Sequence, residues 1–138
     1  MPELPEVEMV RRSLEQMLLH PKPKKIKNIK AFYPVIIKDP APNDFINELI
    51  GQTFIGVDRY GKHLMIQLQR HSIISHLRME GKYFLRDKHF VPEKHDHIQF
   101  LMTDGTSLVY NDVRKFGTMD LVNRKEEYLH PSIQELGP

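Results

Sequence analysis

The first twenty residues alternate apolar and charged positions at helical spacing. The apolar positions are Val7, Val10, Leu14, Met17 and Leu18, and charged side chains occupy the opposite face, which is the pattern of an amphipathic helix. Pro5 suits the first turn, where its missing N–H has no partner to lose, and Pro21 opposes continuation of the helix. The pattern predicts a helix from about Pro5 to Leu19.

The next thirty residues mix a strand-like pattern with a second helical one. A strand is predicted from Ile26 to Ile37, with a break near Pro34. After a proline-rich loop at 39–42, a short helix is predicted from about Asn43 to Ile50. Asn43 is its expected N-cap and Gly51 its expected end.

After Gly51 the apolar period changes to two, which is typical of half-buried strands. The predicted strands are Phe54–Arg59, His63–Gln69, Ser72–Leu77, Lys82–Arg86, His97–Met102, Ser107–Tyr110 and Thr118–Val122. Asp104-Gly105 between two of them is a hairpin signal. Seven short strands at close spacing favour a mainly β fold, an antiparallel sandwich or barrel, flanked by the two helices. A last helical turn is predicted at 131–136.

Composition limits the class of protein. The chain has 138 residues, 40% hydrophobic and 28% charged, with a net charge of +2, as expected for one globular domain. No apolar run reaches the length of a membrane span. There is no cysteine, so disulfides, thiolate nucleophiles and cysteine-ligated zinc are excluded within these residues. The acidic, proline-punctuated N-terminus is unlike a signal peptide, and we expect a cytoplasmic location.

Positive charge is concentrated in three places: Lys22 to Lys30, a scatter from Arg59 to Lys88, and Arg114-Lys115. A basic face can bind polyanions such as nucleic acid. On composition alone, an ordinary solvated surface is the better interpretation.

Pro2, directly after the initiator methionine, is a candidate nucleophile. Removal of Met1 would leave a secondary amine, and an α-amino group titrates at about 7.7–8.0, far below lysine. A neutral amine can attack an electrophilic carbon and form an iminium. Glu3 could transfer protons at the same centre. Without further support, Pro2 is better explained as part of a helix-entry loop, and Glu3 is ambiguous, since an acid is also favourable near the helix N-terminus.

Four motifs in order carry a family resemblance that spans the whole chain. They are residues 2–8 followed by Arg11-Arg12, then Gly61-Lys62, then 76–81, then 112–117, with Leu136-Gly137-Pro138 at the end. Together they resemble the N-terminal, catalytic domain of the formamidopyrimidine-DNA glycosylase family, base-excision repair enzymes for oxidised purines. The resemblance implies a β-sandwich with an N-terminal helix and a second short helix. It also implies a monomer that acts on double-stranded DNA containing an oxidised purine or an abasic site, with no membrane involved.

The resemblance assigns the chemistry to three residues. Processed Pro2 would attack C1′ of the damaged nucleotide, and the Schiff base formed would allow successive eliminations to cut the strand on both sides. Glu3 would protonate the sugar ring oxygen and shuttle protons. Lys62 matches the family lysine that reaches toward the lesion and its phosphate.

The resemblance also implies the DNA contacts. An enzyme that attacks C1′ must extrude the nucleotide, and Met79, Arg114 and Phe116 match the residues that fill the gap. Arg114 would face the orphaned base, cytosine in this family. His76 and Lys115 match positions that hold flanking phosphates. Judged without the family, Met79 and Phe116 are better explained as core residues and Arg114 as a surface cation.

No cofactor is expected in this chain. The histidines around His95-Asp96-His97 suggest a metal site only weakly, since no third ligand is evident. Family members continue into a half with a helix–two-turn–helix motif and a four-cysteine zinc finger, and we expect both to be absent from residues 1–138.

Three alternatives remain open. A non-catalytic fragment that binds damaged DNA would show the same surface, for lack of the other half or because Met1 is retained. A tautomerase-type enzyme could use the terminal proline as a base, although this leaves the loop around Arg114 unexplained. A branch resembling endonuclease VIII, which prefers oxidised pyrimidines, shares the first two residues, but the pattern of Met79, Arg114 and Phe116 favours the purine branch.

Overall fold

A computed structural model describes residues 4–134 of the chain. Its helices are α1 (Leu4–Leu19), α2 (Pro42–Leu49) and a final turn, α3 (Pro131–Gln134). Its strands are β1 (Ile26–Ala31), β2 (Ile37–Asp39), β3 (Phe54–Tyr60), β4 (His63–Leu68), β5 (His71–His76), β6 (Lys82–Arg86), β7 (Asp96–Met102), β8 (Ser107–Asn111) and β9 (Thr118–Asn123). Two 3-10 segments, Pro34–Ile36 and Arg124–Leu129, connect them.

The strands form two sheets that share one large apolar core, and Met65, Ile74 and Ile133 form a smaller separate cluster. One sheet has the order β1-β7-β8-β6 and the other the order β2-β9-β5-β4-β3. Side chains from both sheets and from α1 and α2 belong to the same buried cluster. The predicted β-sandwich with an N-terminal helix and a second short helix is therefore confirmed. Among the strands within residues 4–134, only β2 departs from antiparallel pairing, since it runs parallel to β9.

The strand predicted over 26–37 is two strands in different sheets, so that prediction is wrong in its continuity. β1 pairs with β7, whereas β2 pairs with β9. The 3-10 turn that begins at Pro34 redirects the chain between them, because a proline has no N–H to donate to a strand ladder. Buried Ile29 and Ile37 then contribute to the core from the two sheets.

The start of α2 also differs from the prediction. Its N-cap is Ala41, without a side-chain hydrogen bond, and Pro42 occupies the first turn in place of the expected cap at Asn43. Proline at this position lacks the N–H that a cap would satisfy. Gly51 ends the helix as predicted, with φ of +91°, which favours glycine.

The amphipathic stripe of α1 is buried as its spacing predicts. Val7, Leu14 and Leu18 are at most 1% exposed, and the helix packs chiefly against β3.

The 3-10 helix Arg124–Leu129 was not predicted from the sequence. Its Glu127 is buried and accepts hydrogen bonds from Ser72 and Gln67, so tertiary contacts stabilise this segment.

Two connections cross from one sheet to the other at the same end of the sandwich. Residues 77–81 lead from β5 to β6, and residues 112–117 lead from β8 to β9. Because β5 neighbours β9 and β6 neighbours β8, the two connections run side by side. We call them the crossover loops. Within residues 4–134, no helix is both long and apolar enough to cross a membrane.

Candidate functional site

The crossover loops and the β3–β4 turn meet at one end of the sandwich. His76 at the end of β5 is paired with His63 at the start of β4 and with Thr118 at the start of β9. Lys82 and Asn111 are paired where the loops enter the other sheet. This register brings the turn that carries Lys62 beside the loops that carry Met79, Arg114 and Phe116.

Asp112 organises the second crossover loop. Its side chain is fully buried, and its carboxylate accepts hydrogen bonds from the backbone N–H groups of Arg114, Lys115 and Gly117 at 3.2, 3.0 and 2.8 Å. The Tyr110 hydroxyl donates a fourth bond at 2.8 Å. A buried carboxylate requires such partners, and here they set the path of the loop.

Tyr110 also contacts the first crossover loop. A Cβ atom built on Gly81 would lie 2.5 Å from the Tyr110 hydroxyl oxygen, and one built on Gly117 would lie 1.7 Å from it. Both glycines are therefore needed for space, since neither separation admits a side chain. The hydroxyl group fills the space between the two loops.

The side chains at the tips of the crossover loops are exposed, so the interpretation of Met79 and Phe116 as core residues is wrong. Met79 is 53% exposed and Phe116 57%. Val113 on the same loop is exposed as well. Solvent-facing apolar side chains on two adjacent loops indicate a contact surface.

Arg114 connects the two loops on the outside. Its Nε lies 3.4 Å from Oε1 of Glu80, and the Arg114 side chain is 53% exposed. An exposed pair of this kind contributes little to stability, so the guanidinium is available to another acceptor. The structure places Arg114 at the surface, as both earlier interpretations require.

His76 is held as a neutral imidazole. It is 9% exposed, and its Nδ1 accepts the Arg78 N–H at 3.0 Å. Burial lowers the pKa of His76 to about 4, with further lowering by His63, Arg78 and Lys62. Because Nδ1 accepts, the ring proton lies on Nε2, which can donate to an anion such as a phosphate.

A chain of ion pairs ties α1 to the turn that carries Lys62. The Arg59 guanidinium donates to Glu8 at 3.1 Å and to the Gly61 carbonyl at 3.0 Å. Arg11, Arg59 and Arg12 together hold the pKa of Glu8 at about 2. The start of α1 and the β3–β4 turn are thereby joined. Pro2 and Glu3 precede α1 and lie outside the described residues.

Lys115 is exposed and extends over an aromatic ring. Its Nζ lies 4.7 Å from the centre of the Tyr33 ring, which itself contacts His97 at 5.3 Å between ring centres. Lys115 adopts a φ of +61°, a left-handed conformation that the bonds to Asp112 support. The cation remains accessible from the loop side.

The segment around His97 is structural. His97 is buried, and its Nε2 lies 2.7 Å from the Asp112 carbonyl oxygen. Asp96 is also buried and accepts bonds from Glu93 and Asn111. Among residues 4–134, no three histidine, aspartate or glutamate side chains are grouped as metal ligands.

The basic residues do not form one continuous face. Lys24 pairs with Asp104, and Arg11, Arg12 and Arg59 surround Glu8. Four members of the first cluster, Lys22, Lys25, Lys27 and Lys30, are exposed. β1 and the Asp104 hairpin place the start of this cluster at the end of the sandwich away from the crossover loops.

Sequence reasoning missed Tyr110 as part of this site, and it included Glu80 and Asp112 in the family motifs without giving either residue a role. The signal for Asp112 was present, because an aspartate directly after a strand is typical of a side chain that binds the N–H groups of the loop that follows. Tyr110 carried no such signal, since an aromatic residue in a strand predicts core packing.

Comparisons with known proteins agree with the geometry. A family profile described as the formamidopyrimidine-DNA glycosylase N-terminal domain matches residues 1–119. Curated relatives include formamidopyrimidine-DNA glycosylases of Lactobacillus acidophilus and Bacillus subtilis, 47% and 48% identical over the whole chain. The chain spans about half the length of these relatives, 49% in both cases.

Solved structures are similar over nearly the same residues. A Lactococcus lactis enzyme of this name, in complex with DNA containing a formamidopyrimidine lesion, is 40% identical with a TM-score of 0.86; the match covers 96% of this chain and 48% of that one. A complex of the Lactococcus lactis protein with DNA containing an abasic site is 40% identical with a TM-score of 0.87, covering 97% and 47%.

Proposed function

The chain belongs to the formamidopyrimidine-DNA glycosylase family, and from this membership we propose that it excises oxidised purines from duplex DNA and cleaves the strand at the resulting abasic site. The observation that carries the proposal is the juxtaposition of the two crossover loops. They present exposed Met79 and Phe116 beside Arg114, a set suited to filling the gap left by an extruded nucleotide.

The proposed reaction begins at the N-terminus after removal of Met1. The Pro2 nitrogen forms a bond to C1′ while the bond from C1′ to the base breaks, and the base leaves with that electron pair and takes up the proton that the Pro2 nitrogen loses. Glu3 protonates the ring oxygen, the bond from C1′ to that oxygen breaks, and the nitrogen lone pair forms the iminium that holds the opened sugar on Pro2. Loss of a proton from C2′ then expels the 3′ phosphate, and a second elimination expels the 5′ phosphate.

The cations near the loops would bind the phosphates. Lys62 on the β3–β4 turn would contact the phosphate of the lesion nucleotide, while Lys115 and the Nε2–H of His76 would hold flanking phosphates. Such contacts position a duplex without reading its sequence. The ion pairs from Glu8 through Arg59 to Gly61 support this assignment, because they join the helix that follows Pro2 to the Lys62 turn.

The relatives are about twice as long as this chain, and we propose that the further half of the family supplies part of the grip on DNA. A four-cysteine zinc finger does not fit residues 1–138, which contain no cysteine. The chemistry proposed here uses no metal.

The test is covalent trapping. A duplex with one abasic site is incubated with the chain and borohydride, and intact mass spectrometry reports whether Met1 is present. We expect a protein–DNA adduct on Pro2, and we expect Pro2→Gly to keep its affinity for the duplex but to lose most strand cleavage. Unaltered cleavage by Pro2→Gly, or strand cleavage by material that retains Met1, would refute the nucleophile. Specific binding with no adduct from processed protein would favour the non-catalytic fragment.

Phe116→Ala tests the contact surface separately. Because Phe116 is 57% exposed, the variant should melt at the wild-type temperature but bind abasic duplex more weakly. Ile55→Ala is the matched control, since Ile55 is 48% exposed at the end of β3 away from the Lys62 turn. Equal losses of affinity in the two variants would remove the support given by the loop tips.

A further inference from the structure

We propose that Tyr110 and Asp112 are positioning residues that lock the two crossover loops into one register, so that Met79 on one loop and Arg114 and Phe116 on the other enter DNA as a unit. The inference rests on the proposed function and deepens it. It concerns two buried residues that would touch neither the DNA nor the reacting atoms.

The first support is the way four hydrogen-bond donors are divided between the two oxygens of the Asp112 carboxylate. Oδ1 accepts the N–H groups of Arg114 and Lys115, whereas Oδ2 accepts the Gly117 N–H and the Tyr110 hydroxyl. All four donors lie on the second loop or on the strand that precedes it. Asp112 therefore holds the conformation of that loop, and Tyr110 ties it to β8.

The second support is the position of the Tyr110 hydroxyl between the loops. A Cβ atom at Gly81 on the first loop, or at Gly117 on the second, would lie no more than 2.5 Å from its oxygen, so the hydroxyl occupies the space beside both glycines. Gly81 in turn donates its N–H to the Leu77 carbonyl at 3.0 Å, which closes the first loop. Burial raises the pKa of the Tyr110 hydroxyl, so it stays protonated and remains a donor.

The physical advantage is pre-organisation. Side chains that enter a duplex from two separate loops lose entropy in proportion to the independent motion of those loops. A buried contact common to both loops removes that motion before binding. The Arg114–Glu80 pair also joins the loops, but it is exposed at 3.4 Å and stabilises their relative position weakly.

The test removes one oxygen atom. Tyr110→Phe keeps the ring that packs against Tyr83 at 5.2 Å between centres and deletes only the hydroxyl. Tyr83→Phe is the matched control, because its hydroxyl is also buried but bonds to Ser75 at 2.6 Å and is not among the atoms nearest to a Cβ built at Gly81 or Gly117. Amide hydrogen exchange is followed by NMR in the free 138-residue chain.

We expect Tyr110→Phe to accelerate exchange about fivefold or more, the equivalent of one hydrogen bond. The effect should reach the amides of Arg114, Lys115 and Gly117 on one loop and of Gly81 on the other. Tyr83→Phe should leave these four amides at wild-type rates. Acceleration on the second loop alone, or on neither, would overturn the coupling of the loops.

Binding provides the functional readout. Affinity is measured for a duplex with a tetrahydrofuran abasic analogue and for the same duplex undamaged. Tyr110→Phe should lose about fivefold or more in the preference for the damaged duplex, by the same hydrogen-bond magnitude, with undamaged binding unchanged. Loosened loops with an intact preference would overturn the positioning role. A wild-type chain with no preference would instead refute the proposed function, while the exchange experiment would still decide the coupling.

Discussion

Replacement of Gly117 by alanine is the sharpest test of how the crossover loops are packed. The added Cβ would lie 1.7 Å from the Tyr110 hydroxyl oxygen and 2.9 Å from both Tyr110 Cζ and Asp112 Oδ2. None of these atoms can move into solvent, because Tyr110 and Asp112 are fully buried. The loop itself must shift, which would break the Gly117–Asp112 and Tyr110–Asp112 hydrogen bonds.

The expected cost combines two effects. Overpacking of a buried site costs roughly 1–3 kcal/mol, and each lost bond to the carboxylate costs about 1.5–3 kcal/mol when no water replaces it. Since a shifted loop would recover part of these bonds, we expect a net loss of about 3–5 kcal/mol. For a chain of this length that corresponds to a decrease in Tm of roughly 10–20 °C, measured by calorimetry or circular dichroism.

Two controls separate steric overlap from backbone strain. Gly51→Ala introduces a side chain at φ of +91° with no atom within 4 Å, so it should cost only the left-handed strain of about 1–2 kcal/mol. In Tyr110→Phe the nearest clash is absent, so adding Gly117→Ala there should cost about 1 kcal/mol less than in the wild type. If Gly117→Ala melts within a few degrees of the wild type, the packing argument is refuted.

Three further predictions concern charged groups. Glu8→Gln should destabilise the fold at neutral pH; because the pKa of Glu8 is lowered to about 2, the difference in unfolding free energy should shrink as pH falls from about 4.5 toward 2, and a constant difference would contradict the assignment. The pKa of His76 is lowered to about 4, so an NMR titration should find the ring neutral from pH 8 to 5. The unfolded chain binds this proton near pH 6.5 and should therefore gain stability relative to the fold as pH falls from 6.5 to 4. A ring that titrates near 6.5 in the folded protein would contradict this. Glu80→Gln should raise affinity for abasic duplex about two- to fivefold, since an exposed pair of roughly 0.2–1 kcal/mol no longer competes for Arg114 and one repulsive charge is removed; unchanged or weaker binding would show that Glu80 does not restrain Arg114.

The spacing of apolar residues was sufficient to predict an element where that element buries a single face. The stripe of α1 required no knowledge of partners, because burial of a single face leaves a period in the sequence. The same spacing was insufficient for residues 26–37, which contribute one strand to each of the two sheets. Residues 26–37 are apolar enough for a single strand, and only the pairing of β1 with β7 and of β2 with β9 divides them.

The loop residues were identified from family motifs and not from periodicity. Met79 and Phe116 are of residue types that are usually buried in a core. They are exposed because they lie on the crossover loops, which contain Gly81 and Gly117. The roles proposed for Pro2, Glu3 and Lys62 remain predictions that trapping and mutation can decide.

By itself, the amino-acid sequence determined the local elements of this protein, its family and the side chains available for chemistry, because helix and strand periods and contiguous motifs are written along the chain. Tertiary structure alone decided which loops lie side by side, since β5 with β9 and β6 with β8 are neighbours in space but not in sequence. The same holds for Tyr110, whose hydroxyl lies between Gly81 and Gly117. The two strand pairings join residues between 21 and 52 positions apart, and no local preference of the chain encodes them.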